Sequence, residues 1–187
     1  RAISNAMILS TGSAFSSNIQ ALVQKTKFVV EMIGLPKLVD STRDALCDIE
    51  SGVWGVDNDD NIIDFGLTSA LAISSLKVDI TKGMRIIYTV GALTDKLLKL
   101  VSDSKNIRNV TLVVKDFTKI FVSETAYRVF CNRGGKIMVL QKSKLIAVCV
   151  NPTAPNGYVL DSDILCRKLE EALKLPVYDI VKNNYDI

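Results

Sequence analysis

Residues 85–114 read RIIYTVGALTDKLLKLVSDSKNIRNVTLVV, and their pattern of apolar side chains decides the fold. Residues 85–90 form an apolar run typical of a buried strand, and Gly91 predicts the turn that ends it. Residues 110–114 form a second apolar run of the same kind. Between the two runs, apolar residues recur at the spacing of one helix face: Leu93, Leu97, Leu100 and Val101. A strand, a helix and a second strand in this order predict a right-handed parallel crossover.

The alternation of strands and helices continues on both sides of this stretch. Further strands are predicted at residues 6–9, 136–140, 145–150 and 177–181. Helices are predicted at residues 40–49 and 68–76, and after the capping residues Ser16 or Ser17, Ser123, and Asp161 or Ser162. Gly34 with Pro36 ends the first of these helices, and Gly134 with Gly135 ends the one after Ser123.

A run of polar turn formers at residues 57–61 separates the apolar runs 53–56 and 62–65, which predicts an antiparallel hairpin. The sequence therefore predicts an α/β fold with a mainly parallel sheet, flanking helices and one antiparallel hairpin. Residues 145–150 are the most apolar run and are expected at the centre of the sheet. The strands at Ile8, Ile87, Val113 and Val148 are expected to lie side by side in it.

The chain length of 187 residues is that of one ordinary domain, so a single α/β domain spanning residues 1–187 is expected. The beginning of the chain has two interpretations. Ser4-Asn5-Ala6-Met7 resembles the remnant of a cleaved expression tag before a start methionine, so residues 1–6 would be partly foreign. Alternatively, the apolar residues from Ala6 to Leu9 are a native strand that continues from a longer parent.

The composition is that of a globular protein, with 48% hydrophobic and 23% charged residues. The net charge of +3 is spread among interleaved acidic and basic residues, which disfavours nucleic acid as a partner. No apolar run approaches the roughly 20 residues that cross a bilayer, so no membrane association is predicted. The four cysteines lie in apolar or helical stretches without paired spacing, which predicts reduced thiols and a cytoplasmic location.

Several chemistries are excluded by residue content. The sequence contains no histidine, which removes histidine bases, histidine metal sites and imidazole proton shuttles. The cysteine spacings of 84, 18 and 17 positions fit no zinc or redox pattern. Neither the phosphate-loop pattern nor the dinucleotide fingerprint occurs. A calcium loop that started at Asp57 would need a glycine at position 62 and a glutamate at position 68, where the sequence has Ile62 and Thr68. Trp54 is interpreted as core packing in preference to a ligand-stacking surface.

A ligand site, if there is one, is expected at the carboxyl edge of the sheet, where the loops after parallel strands converge. The candidate residues are polar or permit close backbone approach: Ser10, Thr11, Gly12, Gly91, Thr94, Asp95, Lys115, Asp116, Thr118, Lys119 and Asn151. For Ser10, Thr94 and Asn151 the alternative role of helix capping is favoured. Lys119 is expected to lead the site, because it supplies a cation after a buried strand with Asp116 three positions earlier.

Three segments carry a resemblance to a known family. They are residues 6–13, AMILSTGS, residues 114–121, VKDFTKIF, and residues 150–155, VNPTAP. Together they resemble the carboxyl-terminal part of P-loop accessory proteins, of reactivase type, that are associated with clostridial lysine and ornithine aminomutases. The resemblance implies a protein partner, ATP or another phosphate-containing ligand, and an aminomutase client. The phosphate-loop segment of that family is absent from these residues.

Three functional hypotheses follow. The leading one is a non-catalytic accessory domain that binds a ligand or a partner, within an ATP-dependent aminomutase-reactivating system if the resemblance holds. The alternative is a nucleotide- or phosphate-dependent enzyme domain that uses lysine and aspartate chemistry and lacks its phosphate loop in this chain. A purely structural role would require a large apolar surface patch without a pocket at the strand ends. The oligomeric state and the catalytic residues stay open.

Overall fold

A computed structural model of the chain describes residues 6–12, 18–38, 52–59, 61–64, 85–103, 107–154 and 157–182. The strands are β1 (Ala6–Gly12), β2 (Gly52–Val56), β3 (Ile62–Asp64), β4 (Arg85–Thr89), β5 (Leu93–Thr94), β6 (Val110–Val114), β7 (Ile120–Phe121), β8 (Lys136–Val139), β9 (Lys144–Asn151) and β10 (Val177–Asp179). The α-helices are α1 (Ile19–Ile33), α2 (Asp95–Ser102), α3 (Glu124–Asn132) and α4 (Ser162–Leu173). Short 3₁₀ turns cover Ile107–Asn109 and Phe117–Lys119. The chain divides into two compact units: a first unit of residues 1–34 with 143–187, and a second unit of residues 35–142.

The first unit contains a three-stranded sheet in the order β1-β9-β10, and both of its strand pairs are parallel. Strand β9 is the middle strand, as its apolar sequence predicts. Helices α1 and α4 contact each other, and their apolar side chains pack against β9 and β10. The buried residues of this core are Leu22, Val23, Val148, Val150, Leu160, Leu165, Leu169 and Val177.

The second unit contains a five-stranded sheet in the order β3-β2-β4-β6-β8. Strands β4, β6 and β8 are mutually parallel, whereas β2 pairs in antiparallel fashion with β3 and with β4. The predicted hairpin is therefore confirmed. Its turn is closed by Asp57, whose Oδ1 accepts hydrogen bonds from the N–H groups of Asp59 and Asn61 at 2.9 Å. The side-chain hydrogen bond from Asn61, more than any other contact, holds the pKa of the Asp57 carboxyl below its ordinary value.

The α/β class is confirmed, because parallel strands alternate with amphipathic helices in both units. The prediction that four strands share one sheet is wrong: Ile8 and Val148 lie in one sheet, and Ile87 and Val113 lie in the other. The physical reason is the link from β8 to β9, which spans only residues 140–143. A parallel crossover needs a dozen or more residues, so β9 starts a second sheet in place of extending the first.

Local features of the helices agree with the sequence in part. Ser123 caps α3 and Asp161 caps α4, as predicted. The cap of α1 is Asn18, whose Oδ1 accepts from Gln20 N at 2.8 Å, so the assignment of Ser16 or Ser17 is wrong. Asn18 has the same preference for the cap position as serine, and local pattern alone does not separate them. The helices predicted at residues 40–49 and 68–76 lie outside the described residues.

Leu93 was expected on the face of a helix but lies in strand β5, two residues before α2 begins. Strand β5 pairs with β7, and Thr94 caps α2. The chain is therefore still extended at Leu93, and the helix begins later than the apolar spacing suggests. Leu93 is fully buried all the same. The i, i+4 spacing therefore predicted burial correctly and secondary structure incorrectly.

The end of α3 depends on two glycines. Gly134 has φ 97°, a left-handed conformation that favours glycine. Gly135 is needed for a different reason, because there is no space for a side chain at its position. A Cβ on Gly135 would lie 2.3 Å from Phe130 Cζ, and Phe130 is fully buried. The pair thus turns the chain into β8 while leaving room for Phe130, the largest fully buried side chain among the described residues.

Within the described part of the chain, no helix is both long and apolar enough to cross a membrane. The three cysteines whose surroundings are described, Cys131, Cys149 and Cys166, are not joined to one another by disulfides. Cys47 lies outside the described residues.

Candidate functional site

The predicted site residues are divided between the two units. The first unit contains Ser10, Thr11, Gly12 and Asn151 at the ends of two paired strands. The second unit contains Gly91, Thr94, Asp95, Lys115, Asp116, Thr118 and Lys119. Because the two groups follow strands of different sheets, the single sheet edge that was expected to collect them does not exist. Each group is therefore considered by itself.

In the first unit, the ends of β1 and β9 lie side by side, with Thr11 opposite Val150 and Gly12 opposite Asn151. Asn151 is half-buried, and its Oδ1 accepts a hydrogen bond from Thr153 N at 2.9 Å. This is a turn in which the side chain satisfies a nearby backbone N–H. Asn151 thus closes a turn, and the helix-capping role that the sequence favoured for it is wrong, because the next described helix begins only at Ser162.

In the second unit, the segment from Lys115 to Lys119 forms a compact turn after β6. The Asp116 carboxylate accepts hydrogen bonds from the N–H of Thr118, at 2.9 Å, and from its hydroxyl. Lys119 N donates to the Asp116 carbonyl at 3.1 Å. Asp116 and Thr118 are thus occupied with each other, whereas the exposed ammonium groups of Lys115 and Lys119 have no ion-pair partner among the described residues.

Thr94 and Asp95 connect the starts of two helices. Thr94 Oγ1 accepts from Leu97 N at 3.4 Å and caps α2. The next residue, Asp95, reaches across to α3, and its Oδ1 accepts from Ser123 N at 2.7 Å. Since Ser123 is itself the cap of α3, the two helices begin together and run side by side. The parallel pairing of β5 with β7, the strands that precede α2 and α3, joins the chain at this same end of the two helices.

The other ends of these helices are joined by Arg133. Its Nη1 donates to the carbonyl oxygen of Ser102 at 2.7 Å, and it lies 3.5 Å from Asp103 Oδ1. Ser102 is the last residue of α2, so the guanidinium satisfies a carbonyl that the helix leaves without an internal partner. A cation at this position also complements the negative end of the helix dipole.

Between the two braced ends lies a concave surface, the helix groove, with a volume of about 380 Å³. It is lined by Asp95, Lys99, Ser102, Asp103, Ser123, Thr125, Ala126, Val129 and Arg133. The volume lies within the range of about 300–1,000 Å³ that is typical of small-molecule sites. Of the predicted site residues, Asp95 alone lines this groove.

The helix groove combines four charged groups with a small apolar wall. Lys99 is exposed, and its ammonium has no hydrogen-bond or ion-pair partner among the described residues. Lys99 follows Asp95 by four positions, a spacing that often gives an ion pair, but Asp95 bonds to Ser123 N instead. The groove thus contains a cation with unused donors beside the apolar side chains of Ala126 and Val129.

The sequence reasoning missed most of the groove. The sequence does contain one signal, because Asp95, Lys99 and Asp103 recur at intervals of four and so share one face of α2. No comparable signal marks Arg133, which follows a different helix and meets Ser102 only through tertiary packing. Charged side chains on a helix face are ordinarily solvated, and the sequence does not show which of them border a cavity.

A second residue that the sequence reasoning missed is Asp179, at the end of β10 in the first unit. Only 5% of its surface is exposed, and its carboxylate accepts hydrogen bonds from Ser162 Oγ, from Val181 N at 2.7 Å and from Lys182 N at 3.2 Å. Burial by itself raises the pKa of Asp179, but these hydrogen bonds and the nearby Lys182 ammonium outweigh it and leave the pKa below its ordinary value. Asp179 therefore stays ionised and fastens β10 to the start of α4.

Other titratable groups contribute less. Burial raises the pKa of Tyr88 to about 12, so its hydroxyl stays protonated at neutral pH. Burial and the surrounding carboxylates, Asp179 first among them, raise the pKa of the Cys166 thiol, which disfavours the thiolate needed for nucleophilic attack. Within the ranges that the structure describes, no three cysteine, aspartate or glutamate side chains are grouped to hold a metal ion.

Comparisons with known proteins give no relative for this chain. No protein-family model, no curated protein and no solved structure matches it. The resemblance to aminomutase accessory proteins, which rests on three short segments, therefore stays a prediction.

Proposed function

We propose that this chain is a non-catalytic binding domain that takes a small anionic ligand in the helix groove. The observation that carries the proposal is the Lys99 ammonium, which lines a cavity of about 380 Å³ and has no ion-pair partner in the part of the chain that the structure describes. Ligand sites are commonly concave surfaces with an apolar wall and a few convergent polar groups, and the groove has both.

The bracing of the groove supports the proposal. Asp95 and Ser123 join one end of the two helices, and Arg133 with the Ser102 carbonyl joins the other. A surface whose width is fixed before binding avoids much of the ordering cost of association. The groove is thus built to receive a ligand without rearrangement of α2 or α3.

The binding role, as opposed to catalysis, rests on residue chemistry. The chain has no histidine, and the raised pKa of Cys166 disfavours a cysteine nucleophile there. The groove itself offers hydroxyls, carboxylates and cations but no nucleophile paired with a base. Recognition of an anion needs only the donors that Lys99 and Arg133 supply.

The experiment uses calorimetry to measure the binding of acetate, inorganic phosphate and ATP to the wild type and to lysine variants. Lys99→Met removes the charge from the groove and keeps most of the apolar stem. Lys96→Met is the matched control, because Lys96 is an exposed lysine of the same helix that does not line the groove. We expect Lys99→Met to weaken binding of the preferred anion about tenfold, the scale of one charge-assisted hydrogen bond. Equal binding by wild type and Lys99→Met would contradict the groove assignment.

A second candidate is the nucleotide- or phosphate-dependent enzyme domain, with its anion at the turn after β6. The observation in its favour is that Lys115 and Lys119 lie at the carboxyl end of that strand and that, within the described ranges, their ammonium groups have no ion-pair partner. Gly91 ends a neighbouring strand, and a Cβ there would contact nothing within 4 Å, so the space beside it is open. Lys119→Met, measured in the same titrations, separates the two sites: loss of ATP or phosphate binding in this variant alone would favour the turn.

A further inference from the structure

We infer that the helix groove selects a singly charged carboxylate with a short apolar body and disfavours polyanions such as polyphosphates. This inference rests on the proposed function, because it specifies the ligand of the same groove. It is based on the order of charges along α2 and on the apolar wall that α3 presents to the groove.

Lys99 lies between Asp95, the first residue of α2, and Asp103, which caps the carboxyl end of this helix. Each is four positions away, so its backbone is about 6 Å from that of Lys99 along the helix axis, and both side chains line the groove. An anionic group that approaches the Lys99 ammonium therefore has a negative charge on each side along the groove. One compact anionic group fits between them, whereas a chain of phosphates would extend toward at least one carboxylate.

The two carboxylates are not neutralised equally. Asp103 lies 3.5 Å from Arg133 Nη1, which offsets part of its charge. Asp95 accepts from the uncharged N–H of Ser123 and has no ion-pair partner among the described residues, so no side-chain cation offsets its charge there. The four charged groups of the lining sum to zero, and this balance does not favour a ligand that brings several negative charges. Repulsion of a second ligand charge should come chiefly from Asp95.

The wall opposite Lys99 is apolar. Ala126 and Val129 line the groove from α3, and Val129 is 46% exposed. A hydrocarbon body of a few carbons can cover this side chain while its carboxylate meets Lys99. Each methylene of such a body that leaves water favours binding, so affinity should rise up to about fourfold for each methylene added to the chain.

The test uses hexanoate, acetate and inorganic tripolyphosphate with the wild-type chain, measured by calorimetry at one ionic strength. We expect hexanoate to bind more tightly than acetate, and tripolyphosphate to bind at least about tenfold more weakly than hexanoate. Asp95→Asn removes a charge but keeps an oxygen that can accept from Ser123 N. This variant should strengthen tripolyphosphate binding about fivefold and change hexanoate binding less. Lys96→Met is again the control.

The outcomes distinguish a failure of the carboxylate inference from a failure of the proposal that the helix groove is the binding site. Tripolyphosphate that binds more tightly than hexanoate, in a manner that Lys99→Met abolishes, would overturn the carboxylate inference and leave the groove as the binding site. Affinities for all three anions that are unchanged by Lys99→Met would overturn both. An Asp95→Asn variant that leaves tripolyphosphate affinity unchanged would contradict the role given to Asp95.

Discussion

Asp179 in the first unit and Asp95 in the second both accept a hydrogen bond at the start of a helix, but they differ in surroundings. Asp179 is 5% exposed and accepts from a hydroxyl and two backbone N–H groups, whereas Asp95 is exposed and accepts from one N–H. The first carboxylate is surrounded by donors of its own chain. The second lies at the surface of the groove, beside a lysine that is available to a ligand. A helix start can thus serve the fold or a binding surface, according to how many of its polar atoms are already bonded.

The largest expected effect is the loss of Asp179. Asp179→Ala leaves the Ser162 hydroxyl, which is 8% exposed, and two N–H groups without their acceptor. We expect the free energy of unfolding to fall by about 3 kcal/mol. Urea denaturation measures the change, with Asp163→Ala as the exposed control. A loss below about 1 kcal/mol would show that Asp179 is no more important to the fold than a surface carboxylate.

The same comparison predicts an acid dependence. The folded-state pKa of Asp179 is lowered, so its contribution to stability is complete above the pKa of the unfolded chain and is lost as pH falls through the folded-state value. Urea midpoints of the wild type and of Asp179→Asn should therefore differ by the full amount above about pH 5, and the difference should begin to shrink only as pH falls below about 4, the ordinary pKa of an aspartate. A difference that stays constant down to pH 2 would show that the charge of Asp179 does not stabilise the fold.

Much of the local structure behind this comparison could be predicted from the sequence. The strand at Val110–Val114 and the caps of α3 and α4 follow from short-range patterns, because the residues that determine them are neighbours in the chain. The division into two sheets was missed, although the four-residue link between β8 and β9 is too short for a parallel crossover.

The candidate site was less predictable than the fold. Asp95 was selected as the residue that follows a strand, and it does line the groove. Lys99 and Arg133 were not selected, because charged helix residues are usually solvated and only packing shows which of them meet. The buried environment of Asp179 depends in the same way on Ser162, seventeen residues away.

A smaller effect is expected at the braced end of the groove. Arg133→Ala removes the donor to the Ser102 carbonyl, but the side chain is 52% exposed and water can replace it. We expect a loss of about 0.5–1 kcal/mol in the free energy of unfolding. Arg128→Ala is the matched control, since Arg128 lies on α3 outside the groove and pairs with Glu124 at 3.5 Å. A loss as large as that of Asp179→Ala would remove the contrast between the two units.

The most direct measurement is the NMR response of the lysine Cε–Hε signals to hexanoate, in protein labelled with ¹³C-lysine and with Lys99 and Lys96 assigned by substitution. The helix groove predicts that the Lys99 signal shifts in a saturable manner while the Lys96 signal does not move. Stability should be unaffected by Lys99→Met, because no described residue depends on the ammonium. A saturable shift at Lys119 with none at Lys99, or no saturable shift at either lysine, would contradict the assignment of the groove as the binding site.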